Sequence, residues 1–146
     1  MYIHYSNIPL LEIYSVYKQE PNYKPVGLWI SVDDAWKNWC KDQDFHTEDL
    51  KYENIIRLNL DKILFLRDNQ DILEFTQKYK QSLCDDLIRL IRWDEVAKLY
   101  NGIIISPYVH SLAMSRDALW YFGWDVASGC IWNKKSIKNI NLNNAI

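Results

Sequence analysis

Apolar positions divide this chain into short segments of two kinds. Apolar residues at every second position, or in short unbroken runs, are typical of strands, whereas a spacing of three or four is typical of helices. The first pattern predicts strands over residues 2–6, 26–32, 54–60, 62–66, 103–106, 121–132 and 137–140. The second predicts helices over residues 10–19, 33–40, 68–79 and 85–99, with a helical turn over 115–120.

Residues that start and stop elements agree with these segments. Ser6 and Pro9 suit the start of the first helix, and Asp33 and Asp34 suit a cap for the second. Because the intervals between strands are uneven, the order predicts an α+β fold rather than a regular βαβ alternation. We expect a split, curved, antiparallel-rich sheet flanked by short helices. The whole chain, 1–146, should form one domain, with residues 136–146 as a closing strand and polar tail.

The composition excludes several classes of protein. With 146 residues, 49% apolar and 25% charged, the chain is ordinary for one globular domain. A net charge of −2 gives no general attraction to duplex nucleic acid. No apolar run is long enough to cross a bilayer, and the first residues carry no secretory pattern. We therefore expect a cytoplasmic protein without a membrane partner.

Cysteines and aromatic residues add two further observations. Cys40, Cys84 and Cys130 are widely spaced and form no Cys-x-x-Cys pair, which predicts reduced thiols and no structural zinc. Seven Trp and ten Tyr are unusual for this length. Large aromatics favour surfaces that meet a partner or ligand, although an AT-rich gene would also raise the count of Tyr.

Common catalytic motifs do not occur in the sequence. It has no phosphate-binding glycine loop, no His-Glu-x-x-His and no Gly-x-Ser-x-Gly elbow. Four segments remain in which reactive or ligand-binding residue types lie near predicted strands: residues 3–6 (Ile-His-Tyr-Ser), 24–31 (Lys-Pro-Val-Gly-Leu-Trp-Ile-Ser), 101–103 (Asn-Gly-Ile) and 124–132 (Trp-Asp-Val-Ala-Ser-Gly-Cys-Ile-Trp).

In their order these segments resemble the ADP-ribosyltransferase superfold of the diphtheria-toxin and poly(ADP-ribose) polymerase type. In that family a first strand offers a His or Arg and a helix follows. A second strand with a Gly-x-aromatic-x-Ser pattern then forms one wall of the nicotinamide pocket. His4, the predicted helix over 10–18 and Gly27-x-Trp29-x-Ser31 match these features. The resemblance continues through the strands at 54–60 and 101–105 to a late strand that bears the catalytic acid, so it spans most of the chain.

This resemblance implies NAD as substrate, transfer of ADP-ribose to a macromolecular acceptor, and no metal. The implied NAD-binding residues are His4, Tyr5, Ser6, Gly27, Leu28, Trp29 and Ser31. His4 would donate to a ribose hydroxyl, an aromatic ring would stack on nicotinamide, and the Gly27 amide would approach the carboxamide. A carboxylate would stabilise the oxocarbenium-like ribose as nicotinamide leaves. A toxin, phage or host-conflict setting would suit this activity.

The chain departs from the family at the catalytic acid. The acid's position falls on or near Cys130, with Ser128 two residues earlier, and the nearest acid is Asp125. Strand alternation would place Asp125 and Cys130 on opposite faces unless a bulge at Gly129 resets it. Asp125, Ser128 and Cys130 are thus the candidate catalytic residues: either Asp125 is re-aimed, or no acid serves.

Other interpretations compete with this one. The chain could be a non-catalytic module that binds protein or single-stranded nucleic acid through aromatic side chains, or a hydrolase with a Cys130 nucleophile. Exposure of Trp29, Trp120, Trp124 and Trp132 discriminates: a cleft favours the enzyme and a flat exposed patch favours the binder. Arg116 and Asp117 could clamp an anionic ligand, although a surface ion pair is the simpler explanation. The acidic segment around His46 could bind a metal weakly, but its spacing matches no defined loop, and a solvated loop is the better interpretation.

Overall fold

A computed structural model describes residues 1–81 and 90–143, in which seven strands form one mixed sheet. The strands are β1 Tyr2–Ser6, β2 Leu28–Val32, β3 Tyr52–Leu58, β4 Ile63–Leu66, β5 Gly102–Ile105, β6 Ser128–Ile131 and β7 Ile137–Asn143. Their order across the sheet is β4-β5-β6-β2-β1-β3-β7. Only β4 and β5 pair in parallel, so the sheet is rich in antiparallel pairs as predicted.

Short helices accompany this sheet and confirm the α+β class. The α-helices of the described residues are α1 Ala35–Gln43, α2 Asn69–Tyr79 and α3 Trp93–Val96. Turns of 3-10 helix lie at Thr47–Leu50, His110–Leu112, Arg116–Gly123 and Lys134–Ser136. The longest α-helix of this part, α2, has 11 residues, where a bilayer crossing takes about 20, and no described helix is a candidate membrane span.

A side chain caps α2, as its sequence suggests, but the caps predicted for α1 do not form. Asp68 accepts a hydrogen bond from the Asp71 amide at 2.8 Å, as a cap should. At α1, neither Asp33 nor Asp34 caps: Asp34 makes no cap bond, and Asp33 has a left-handed backbone with φ of 50°. Ser31 Oγ instead accepts from the amide of Trp36 at 3.0 Å. The sharp turn at Asp33 makes this possible.

The helix predicted over residues 10–19 is wrong. These residues run without regular structure along the sheet as a strap (residues 7–20). The Tyr17 amide donates to the Trp132 carbonyl at 2.8 Å, and the Leu10 amide donates to Asn54 Oδ1 at 3.1 Å. Leu11 remains 91% exposed. A ten-residue helix is marginal without tertiary support, and here the backbone finds its partners outside the segment.

Two other predicted boundaries change. The strand over 121–132 is only β6, because residues 121–123 finish the 3-10 helix that buries Trp120 and Tyr121. The residues from 141 to 143 continue β7, with Asn143 paired to Glu53, instead of starting a tail. The helix predicted over 85–99 is too long: of its described residues, 90–99, only α3 is α-helical, and Ile91 instead forms β-bridges with Asn22 and Lys80. Residues 82–89 and 144–146 lie outside the described residues.

Apolar layers cover both faces of the sheet. On one face Trp93, Trp120 and Trp132 pack with residues of α2 and β5. Their indole N–H groups are paired: that of Trp120 donates to Thr76 Oγ1 at 2.8 Å, and that of Trp132 to the Tyr100 carbonyl at 2.8 Å. The opposite layer is aliphatic and contains Leu28, Ile30, Ile56, Ile63, Ile104 and Ile131. Most of the unusual Trp content therefore serves the core.

We expect Gly27→Ala to destabilise the fold. An added Cβ at Gly27 would lie 2.5 Å from the backbone oxygen of Ile131, which is fixed at the end of β6. The expected loss is about 1–3 kcal/mol in the free energy of unfolding, measured by urea denaturation. Gly123→Ala is the matched control. Its Cβ would meet only the flexible end of Lys24, at 2.7 Å from Cε. Equal stability of the two variants would contradict this account of Gly27.

Candidate functional site

The ladder between β1 and β2 ends early and opens the sheet. It contains two residue pairs, Tyr2 with Val32 and Ile3 with Ser31, although both strands continue beyond them. At the next position the His4 ring makes the hydrogen bond between the strands, with Nδ1 2.7 Å from the Trp29 carbonyl oxygen. A side chain thus occupies the place of a ladder bond. This is the split that the sequence predicted for the sheet.

A cleft of about 280 Å³ lies at this split. Strands β1 and β2 contribute His4, Tyr5, Trp29 and Ser31 to its lining. The loop before β6 contributes Trp124 and Asp125, and β6 contributes Ser128, which pairs with Ser31. Trp36 of α1 and Lys24, which precedes β2, complete the rim. The structure therefore brings together six of the ten residues that the sequence proposed for the site.

His4 is held as a neutral ring whose free nitrogen accepts. Since a carbonyl only accepts hydrogen bonds, Nδ1 carries the proton and donates to Trp29. Burial lowers the pKa of His4, opposed in part by this bond. Nε2 is then the unprotonated nitrogen, so His4 would accept a hydrogen bond from a ligand hydroxyl. This acceptor role differs from the donor role expected from the sequence, because the ring's one proton is used in the bond to Trp29.

Trp29 is a half-buried ring fixed on both sides. Its centroid lies 4.9 Å from that of Trp124 with the planes at 64°, an edge-to-face contact. The ammonium of Lys24 lies 5.1 Å from the Trp29 centroid. A cation over an exposed indole stabilises by about 0.5–1 kcal/mol. The ring is thus rigidly placed while the lysine above it is held only weakly.

Asp125 lies in the loop between the 3-10 helix and β6, not on a strand. Strand alternation therefore does not determine which face Asp125 occupies relative to Cys130. Although the residue is exposed at the rim, partial burial of the carboxyl group raises the pKa of Asp125, and the charge of Lys24 opposes the shift. Among the described residues that line the cleft, it is the one acid.

The hydroxyl groups of the cleft are largely committed to the protein. Tyr5 Oη donates to Asp34 Oδ1 at 2.9 Å, and burial is the main cause that raises its pKa. Ser31 Oγ donates to the Asp33 carbonyl at 2.8 Å besides accepting from α1. Ser128 Oγ donates to the Val126 carbonyl at 2.9 Å. These bonds fix the walls more than they offer donors to a ligand.

Four predicted site residues do not line the cleft. Cys130 is fully buried beside Trp29, its ladder partner, with Sγ 3.9 Å from the Pro25 carbonyl oxygen, and burial raises its pKa. Leu28 points into the aliphatic layer on the other face, as strand alternation requires. Gly27 backs onto Ile131, so its lack of a Cβ serves strand packing and not the approach of a carboxamide. Ser6 Oγ bonds the Ile8 carbonyl at 2.5 Å.

Three members of the cleft received no catalytic or ligand-binding role from the sequence, although Lys24 and Trp124 lie within the candidate segments 24–31 and 124–132. Trp36 was expected in the core, but it is half-buried and stacks on Trp39 with centroids 5.1 Å apart. Trp124 and Lys24 carried no assigned role. The available signal for Lys24 was a charged residue two positions before the start of the predicted strand 26–32, and many surface lysines share it.

Other charged groups lie apart from the cleft. Arg116 and Asp117 are both exposed and outside its lining. His46, Glu48 and Asp49 have candidate ligand atoms within 4.8 Å of one another, on an exposed turn. His46 Nδ1 lies 3.1 Å from Glu48 Oε1. Solvated local ion pairing accounts for this group.

Comparison of the chain with protein-family models, curated proteins and solved structures finds no match. The family resemblance therefore depends on the residues quoted above.

The pH dependence of stability tests the neutral His4. A lowered folded-state pKa means that the unfolded chain binds the proton more readily, so the stability tied to neutral His4 is present above about pH 6.5 and is lost as the pH falls below it. We expect the unfolding free energy of wild type, relative to His4→Asn, to decrease from pH 8 to pH 5. Urea denaturation at several pH values measures this difference. A relative gain at low pH would show that folding favours the charged ring.

Proposed function

We propose that the cleft binds NAD and that the protein is an ADP-ribosyltransferase-like enzyme acting on a macromolecular acceptor. The observation that carries this proposal is one cleft in which His4 and Trp29 face Asp125. These are a hydroxyl acceptor, an aromatic platform and a carboxylate, which are the groups that cleavage of a ribosyl–nicotinamide bond needs. The cytoplasmic location predicted from the sequence is part of the proposal.

The size of the cleft suits the reacting end of NAD. Ligand pockets commonly enclose about 300–1,000 Å³, and a cleft of about 280 Å³ lies just below that range. It accommodates a ring and its sugar, whereas a whole dinucleotide would extend through the mouth. Nicotinamide would stack on Trp29, with a ribose hydroxyl donating to His4.

Asp125 supplies the reaction chemistry in this proposal. The bond between ribose C1 and the nicotinamide nitrogen breaks, its electron pair leaves with nicotinamide, and the positive ribose is stabilised by the carboxylate. An acceptor nucleophile then bonds to C1 and gives up its proton. A carboxylate with a raised pKa is a better proton acceptor than an ordinary one, so Asp125 suits both roles.

The positions of the tryptophans favour a cleft over an aromatic contact surface. Trp120, Trp124 and Trp132 are each at most 1% exposed, and Trp29 is half-buried. These four rings therefore form no flat exposed patch of the kind that the non-catalytic binding module requires. The Cys130 hydrolase has less support, because its thiol is buried and its pKa is raised.

Asp125→Asn provides the test of the reaction. Nicotinamide release from NAD, and label transfer from labelled NAD to proteins of a cell lysate, should fall about 10²–10³-fold, while NAD binding by calorimetry persists. Asp42→Asn, an exposed acid of α1 outside the cleft, is the matched control and should keep wild-type rates.

Wild-type protein that neither binds NAD nor releases nicotinamide would rule out the proposal. Binding with no release by wild type would leave an NAD-binding protein and remove the transferase activity. Equal rates for Asp125→Asn and wild type would show that another group supplies the charge.

A further inference from the structure

Lys24 occupies a defined position at the mouth of the cleft. It precedes the buried Pro25, and its stem lies along Gly123, where a Cβ would come 2.7 Å from Lys24 Cε and 3.6 Å from Cδ. Its ammonium lies over the Trp29 ring, 5.1 Å from the centroid. The stem is therefore guided by one wall of the cleft while the charged end reaches the other.

The charge of Lys24 has no ionic partner in the described part of the chain. The ion pairs of residues 1–81 and 90–143 involve other cations. Burial raises the pKa of Asp125 and the charge of Lys24 opposes this shift, but the two side chains form no ion pair. Among the described residues of the lining, Lys24 is the one with a fixed positive charge. The cleft therefore presents a single available cation at its opening.

We infer that Lys24 binds a phosphate group of the ligand, and so selects nucleotides over the corresponding nucleosides and free bases. This inference rests on the proposed function, because it assigns a residue to the part of NAD that extends beyond the closed cleft. A phosphate offers an ammonium a charge-assisted hydrogen bond, which is stronger than the attraction to an exposed indole face.

Placement of the ammonium over Trp29 links phosphate binding to ring stacking. A ligand ring that stacks on that face of Trp29 needs the space held by the lysine. The phosphate of the same ligand draws the ammonium away and clears the ring. A ligand with ring and phosphate thus gains from both groups, whereas a ring alone competes with Lys24 for Trp29.

A series of four ligands separates these contributions. Nicotinamide, nicotinamide riboside, nicotinamide mononucleotide and NAD add in turn the ring, the sugar, one phosphate and the second nucleotide. Their affinities are measured by calorimetry for wild type, Lys24→Gln and Gly123→Ala. Lys51→Gln is the control, because the Lys51 ammonium also lies over an aromatic ring, 5.3 Å from the Tyr52 centroid, but outside the cleft.

For Lys24→Gln we expect about tenfold weaker binding of the mononucleotide and NAD, with no weakening for nicotinamide or the riboside. The salt dependence of NAD binding should also decrease. Gly123→Ala keeps the charge but displaces the stem, and should weaken the same two ligands by a smaller factor. Lys51→Gln should match wild type for all four.

The outcomes distinguish the two proposals. If wild type binds none of the four ligands, the proposed function fails and this inference fails with it. If wild type binds NAD and Lys24→Gln binds all four equally well, only the role of Lys24 is overturned. An equal loss in Lys51→Gln would also overturn it, since general charge and not position would then be the cause.

Discussion

The hydrogen bond from His4 to the Trp29 carbonyl is the contact on which the candidate site depends. It occurs where the β1–β2 ladder stops after two pairs, and it satisfies a carbonyl that a regular sheet would pair with a backbone amide. Because a side chain makes this bond, the strands need not stay at ladder spacing. The same bond fixes the tautomer of His4 and the position of the strand that carries Trp29.

Support for this arrangement comes from the opposite side of β1. Asn54, fully buried on β3, donates to the His4 carbonyl and to Ser6 Oγ, each at 2.9 Å, and accepts from the amide of Leu10 in the strap. Its amide group thereby ties β1, β3 and the strap at one point. The hydrogen bonds of a buried side-chain amide are rigid and costly to break. Asn54 therefore holds β1 against β3 at the point where the pairing of β1 with β2 ends.

Much of the fold could be predicted from local patterns, and the exceptions have physical causes. Strands such as β1 and β2, and the capped helix α2, follow alternation and capping rules that act within a few residues. The strap was mistaken for a helix because Leu10, Ile13 and Tyr17 have helical spacing, while its hydrogen-bond partners Asn54 and Trp132 are distant in sequence. In the cleft, His4 and Trp29 were visible as strand residues. Lys24 was not, since its significance lies in a distant contact with Gly123.

The loop position of Asp125 has a consequence for how such a site changes over time. A residue in a strand changes face when it moves by one position along the chain, but Asp125 lies in an irregular segment between the buried residues Trp124 and Gly129. Substitutions or single-residue insertions there would relocate the acid while β6 and the opposite wall keep their register. The position of the acid at the cleft can therefore change separately from the framework, and strand alignment alone would not locate Asp125.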